Sequence, residues 1–222
     1  MYLTIFIVIM VLSLIVQGTL QSRFNKYSKV PTTNGMSGAE VAMKMLRDHG
    51  IDDVKVVPTN GTLTDHYNPT TKTIALSESV YSSRSVAAAA VAAHECGHAV
   101  QHAYAYGPLQ MRSALVPVVN VASNTVQWII LAGLIFSNMF PNLLWLGIAL
   151  FALTTLFSFI TLPVEINASK RAITWLGHAG ITDYETHPMA IDALKWAAYT
   201  YVIAALGSLA TLLYYIGIAQ RR

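Results

Sequence analysis

The chain has 222 residues, of which 54% are hydrophobic and only 11% charged. A soluble domain usually carries about a quarter charged residues, so a purely water-soluble globule is excluded. The net charge of +3 requires no nucleic-acid partner, because anionic lipid headgroups account for a basic surface of that size.

In chain order, residues 2–16 form a first apolar span, somewhat short for a bilayer crossing. No basic segment precedes it and no small-residue cleavage site follows it, so a retained anchor is expected rather than a signal peptide. Residues 21–34, polar and interrupted by Pro31, read as a linker ending at Gly35. Ser37 and Glu40 make a capping box that opens a helix to about His49, where Gly50 supplies the stop. Residues 54–57 read as a short strand. Residues 62–66 and 71–76 flank Asn68-Pro69 as a hairpin, with Ile74 and Leu76 alternating against polar neighbours. A helix follows from about Arg84 to Tyr104. Its Ala87 to Ala90, Ala92 and Ala93 permit close approach of another helix, although high intrinsic helix propensity explains them equally.

From Ser113 to Val164 there is no Lys, Arg, Asp or Glu. Spans are expected at about 116–136 and 143–162, joined by a tight turn over 138–142 that contains Pro141, and a last span at about 197–218. Arg23, Lys26, Lys29, Lys44, Arg47, Lys55, Lys72, Arg84 and Arg112 lie between the first and second spans. Lys170, Arg171 and Lys195 lie between the third and fourth, and only Arg221 and Arg222 follow the last. This bias puts the two main loops in the cytoplasm and both termini outside. The expected organisation is an anchor (1–17), a catalytic region (18–115), a membrane hairpin (116–162), a second catalytic segment (163–196) and a terminal helix with its tail (197–222).

Within the expected helix, His94-Glu95-Cys96-Gly97-His98 spell H-E-x-x-H. Imidazoles four residues apart lie about 40° apart around a helix and roughly one turn along it, so both reach one metal ion. Glu95, one step round, reaches a water held there. Cys96 lies about 200° round from His94 and reads as packing. As the single cysteine it allows no intrachain disulfide, which fits a reducing compartment.

Hydrolytic zinc sites use three protein ligands and keep a fourth position open. Glu165 is the only acidic residue between Glu95 and Asp183, at the end of the third span. Alone, it is equally explained as a carboxylate at a helix N-terminus after Pro163. Topology favours ligation, because two spans separate His98 from Glu165 and return both to one membrane face. Glu165 would then stand about 5 Å beyond the hydrophobic edge, with membrane-embedded or juxtamembrane polypeptides as natural substrates. His102 continues the face of His98, and the position six residues past His98 is Tyr104, so His102 reads as a supporting or packing residue. His66, His178 and His187 read as surface or structural; His178, His187 and Tyr184 are also the candidates for stabilising an oxyanion.

The chain resembles the neutral zinc metallopeptidases of bacterial membranes, the YugP-like family. The resemblance runs through Leu63-Thr64-Asp65-His66-Tyr67-Asn68-Pro69, Leu76-Ser77-Glu78, Val80-Tyr81, Arg84-Ser85-Val86 and the HECGH helix, then from Leu162-Pro163-Val164-Glu165 to Ala172. Its layout is similar to that of gluzincin membrane proteases, whose third ligand lies in E-x-x-A-D; here Ser169 stands where that Asp would be. The resemblance implies Zn2+ held by His94, His98 and Glu165, with Glu95 as general base. The fold it implies is an α+β membrane protein, mainly helical, with about four transmembrane helices. Its gluzincin-like cytoplasmic catalytic domain would contain a small β-hairpin or sheet, placed in a multi-pass protein of the bacterial plasma membrane. It also implies a polypeptide substrate, paired in extended form with a strand such as 71–76.

An intramembrane protease is disfavoured, because only the eight apolar residues 86–93 precede His94 after Arg84 and Ser85, too few to cross a bilayer. The N-P-D-G-like ligand motif of that class is also absent. A catalytically silent, zinc-stabilised membrane scaffold or chaperone adaptor would need a fourth protein ligand, with His102 the candidate, and would not need Glu95.

Overall fold

The computed structural model describes residues 2–136 and 139–221, so Asn138 of the expected turn and the terminal Arg222 lie outside the described residues. The elements run α1 (Tyr2–Tyr27), α2 (Gly38–Asp48), β1 (Lys55–Thr59), β2 (His66–Asn68), β3 (Thr73–Ser77), α3 (Glu78–Tyr81) and α4 (Val86–Ala103). Three long helices follow: α5 (Gly107–Ile135), α6 (Pro141–His178) and α7 (His187–Ala219). Helices α1, α5, α6 and α7 are each long and apolar enough to cross a membrane. With one small sheet among the described residues, this is the expected α+β membrane architecture.

All four long helices outrun their expected spans, because hydropathy marks only the part of a helix that suits lipid, whereas its ends are set by breakers and caps. Helix α1 continues to Tyr27 and takes up the first part of the expected linker. Helix α6 runs unbroken through Pro163 for 38 residues. At 1.5 Å rise it is about 57 Å long, nearly twice the ~30 Å hydrocarbon layer. Its C-terminal part therefore extends beyond the membrane as a wall of the folded domain. Glu165 is accordingly mid-helix, and the reading of it as a carboxylate at a helix N-terminus is overturned. Large apolar side chains such as Phe6, Leu14, Trp128 and Leu156 face outward on the long helices, a surface that lipid satisfies and water would not. The α5–α6 hairpin closes backbone to backbone: a Cβ on Gly133 would meet Leu144 Cα at 2.7 Å. Small residues at such a contact are what packing within lipid requires.

Outside the membrane helices, Ser37 Oγ accepts from Glu40 N–H and Glu40 Oε2 accepts from Ser37 N–H at 2.7 Å, the expected capping box of α2. The sheet has order β1-β3-β2, with β1 parallel and β2 antiparallel to β3. The hairpin is present around Asn68, whose Oδ1 accepts from Thr70 N–H and Thr71 N–H. It is shorter than expected, since positive φ at Gly61 (100°) and Leu63 (58°) breaks the extended backbone before His66. Because β3 is central and paired on both sides, the strand at 71–76 has no edge for a substrate; only β1 and β2 offer one.

Helix α4 is the hub. Ser85 caps it, accepting from Ala88 N–H at 3.3 Å. Ala87 to Ala90, Ala92 and Ala93 are all buried, so their small size serves packing as well as helix propensity. Val41, Met45, Ile74, Leu76 and Leu176 close over α4 in one core. Cys96 is buried, its Sγ donating to Ala42 O at 3.4 Å, and burial pushes its thiol pKa up, as a packing role predicts. Gly97 sets the approach of α4 to α6: a Cβ there would meet Ala168 O at 2.6 Å and Ala168 Cα at 3.0 Å. Both atoms are backbone, so neither can turn aside. Gly97→Ala is expected to lower stability by about 1–3 kcal/mol and to spread α4 from α6. Thermal melts and zinc titration of the variant, compared with wild type, check this.

Candidate metal centre

The α4–α6 crossing at Gly97 brings together the three residues singled out as ligands. His94 and His98 share one face of α4, their rings edge to face with centroids 4.8 Å apart. From α6, Glu165 Oε2 stands 3.3 Å from His94 Nε2 and 3.5 Å from His98 Nε2. The donor atoms of the three residues all lie within 4.8 Å of one another. Ligand atoms about 2.0–2.2 Å from a tetrahedral zinc lie roughly 3.4 Å apart, which the two separations from Glu165 Oε2 match.

The other ring nitrogens are already committed. Gln101, fully buried, donates through its amide to Val164 O at 2.8 Å and Asn167 Oδ1 at 3.0 Å. Those two acceptors orient the amide and turn its Oε1 to His98 Nδ1 at 3.0 Å. A carbonyl oxygen only accepts, so Nδ1 of His98 carries the proton and its Nε2 keeps a lone pair. His94 Nδ1 stands 3.0 Å from Ser169 Oγ, which accepts in the same tautomer. Ser169 thus supports a ligand imidazole where the related gluzincin motif has an acid. Glu165 Oε2 is buried and has no hydrogen-bond partner among the described residues. A desolvated carboxylate oxygen facing two imidazole lone pairs is costly unless a cation sits between them. The residues present fit zinc.

Burial alone would push the His98 imidazole down, but the neighbouring Glu165 and Glu95 carboxylates and Gln101 raise its pKa above the ordinary value. A raised pKa means that the proton competes with a metal up to higher pH. Zinc affinity is therefore expected to fall as the pH is lowered, because the proton and the metal compete for Nε2 of His98. Zinc content after equilibration across pH 5–8 measures this.

Glu95 is buried on α4. His102 lies outside the cluster: its Nδ1 bonds the Tyr67 hydroxyl at 2.8 Å and ties α4 to β2. The expected oxyanion candidates are elsewhere. Tyr184 is 95% exposed, His187 Nδ1 bonds Thr182 Oγ1 at 2.8 Å, and His178 is about 20 Å along α6 from Glu165. Instead, Arg112 of α5 places Nη1 3.5 Å from Glu165 Oε1, and Tyr201 of α7 interacts with Glu165, Glu95 and Arg112. In the sequence, Arg112 marks only topology and Tyr201 lies inside an apolar span. Gln101 was legible in principle, since it follows His98 by three residues on the same helix face.

Four helices among the described residues long and apolar enough to cross a membrane, and a cluster of two histidines and one carboxylate, make a membrane-protein architecture with a candidate metal site. Residues 2–220 match the family described as "Putative neutral zinc metallopeptidase", and the chain belongs to that family. It is similar to a curated protein of Bacillus subtilis (strain 168), "Putative membrane protease YugP". The two are 45% identical over 205 residues, covering 92% of this chain and 90% of that one. No solved structure matches the chain.

Proposed function

We propose that the protein is a zinc-dependent endopeptidase that cleaves membrane or membrane-proximal polypeptides, with its site on the cytoplasmic face of the bacterial plasma membrane. The observation that carries this reading is the unpartnered, buried Oε2 of Glu165 between the Nε2 atoms of His94 and His98. When bound, zinc supplies Lewis acidity, activating a water near neutral pH and polarising the scissile carbonyl. Glu95, the residue after the first imidazole ligand, takes a proton from the attacking water and returns it to the leaving amine. Gln101 holds His98 in the tautomer that frees Nε2, and Ser169 Oγ can accept from His94 Nδ1 in the same tautomer. The outer edge of β2, joined to α4 through Tyr67 and His102, offers backbone groups to an extended substrate.

The cytoplasmic orientation rests on the basic residues of the two main loops. A zinc-stabilised scaffold would require a fourth protein ligand, whereas the cluster among the described residues holds His94, His98 and Glu165 without the obvious fourth, His102.

The test is cleavage of an unfolded polypeptide tethered to a membrane anchor by the purified protein in lipid nanodiscs. Chelation should abolish cleavage and stoichiometric zinc should restore it. Cleavage that survives complete zinc removal would refute the reading.

A further inference from the structure

The Glu165 carboxylate divides its two oxygens between different partners. Oε2 faces the imidazole pair, while Oε1 faces the Arg112 guanidinium at 3.5 Å. Arg112 is the last charged residue before the uncharged stretch 113–164. A basic side chain at that position normally extends to the headgroups, where its charge is hydrated. Arg112 instead turns inward, its side chain 32% exposed against 3% for Glu165.

We propose that Arg112 is a positioning residue that occupies Glu165 Oε1, so that this carboxylate ligates through Oε2 alone. The inference rests on the zinc reading above and goes beyond it. A carboxylate free to swing can bind a dication through both oxygens and fill the position that a hydrolytic site must leave open. A guanidinium on the second oxygen prevents that and compensates the buried negative charge when the ion is absent. Arg112 comes from α5, Glu165 from α6 and the neighbouring Tyr201 from α7, so the membrane helices themselves set the ligand's denticity. Arg112 also ties the start of α5 to the metal centre.

The test uses the full chain in detergent, stripped of metal and titrated with zinc against a chelating dye. Cobalt(II) substitution then reports coordination number through its visible absorption. Arg112→Met is expected to bind zinc more tightly than the wild type and to shift the cobalt spectrum towards higher coordination, because the second oxygen and its charge become available to the ion. Arg112→Lys, which keeps the charge, is expected to stay close to the wild type in both readouts. Arg112→Gln is a second neutral variant, and circular dichroism identifies which of the two is folded and therefore read. Wild-type affinity and an unchanged cobalt spectrum in a folded neutral variant would overturn the proposal. So would a raised KM with unchanged metal properties, which would assign Arg112 to substrate binding. Failure of the wild type to bind zinc is a separate result and would refute the metal centre itself.

Discussion

Glu95→Gln is expected to leave zinc content unchanged and to lower peptide cleavage about 10²–10⁴-fold, the usual contribution of a positioned general base. The substitution keeps size and hydrogen-bonding capacity while removing basicity, so the packing of α4 should not change. Glu95 is buried beside His98 and Cys96, where a glutamine of the same shape fits. Single-turnover cleavage and metal analysis of the same sample separate the two effects. Full activity in a zinc-loaded Glu95→Gln protein would remove Glu95 from the chemistry.

Glu165→Ala should fail differently, by losing the metal. It removes the one ligand that α6 contributes and leaves two imidazoles on a single helix face. Zinc stoichiometry is expected to fall from about one per chain to near none, and cleavage should fall with it. The thermodynamic signature is separate from activity. At free zinc 100-fold above its dissociation constant, the wild type should gain about 2.7 kcal/mol of stability and the variant none. Thermal melts with and without zinc read this directly. A zinc-dependent rise in Tm retained by Glu165→Ala would point to a ligand set that does not include α6.

The site was legible in the sequence wherever chemistry is local. H-E-x-x-H needs only helical geometry to bring His94 and His98 to one ion. Glu165 was found by counting membrane crossings rather than by spacing, and the structure brings it to the same cluster. Most of the residues that tune the ligands were not legible, because they act across elements distant in sequence, and Gln101, although three residues past His98, owes its orientation to such contacts. Gln101 reaches Val164 and Asn167 on α6, Ser169 reaches back to His94 on α4, and Arg112 reaches Glu165 from α5. The crossing at Gly97 makes the Gln101 and Ser169 contacts, and a glycine inside a motif does not announce which backbone it lies against.

The fold divides in the same way. The capping box at Ser37 and Glu40 and the turn at Asn68 were readable because their hydrogen bonds close within three residues. The parallel pairing of β1 with β3 has no such local signal, and it moved the free edge from the strand at 71–76 to β2 and β1. Helix α6 misled for another reason. Pro163 reads as a helix start in water, but a long membrane helix carries it in mid-course at the loss of one backbone hydrogen bond.

The most direct test of the central claim is X-ray absorption at the zinc edge on the purified, zinc-loaded protein. Two imidazole nitrogens and one carboxylate oxygen at about 2.0–2.2 Å, with a remaining light scatterer that exchanges with solvent, are predicted. The carboxylate contribution should vanish in Glu165→Ala. A fourth protein ligand, or a spectrum unaffected by that substitution, would contradict the account.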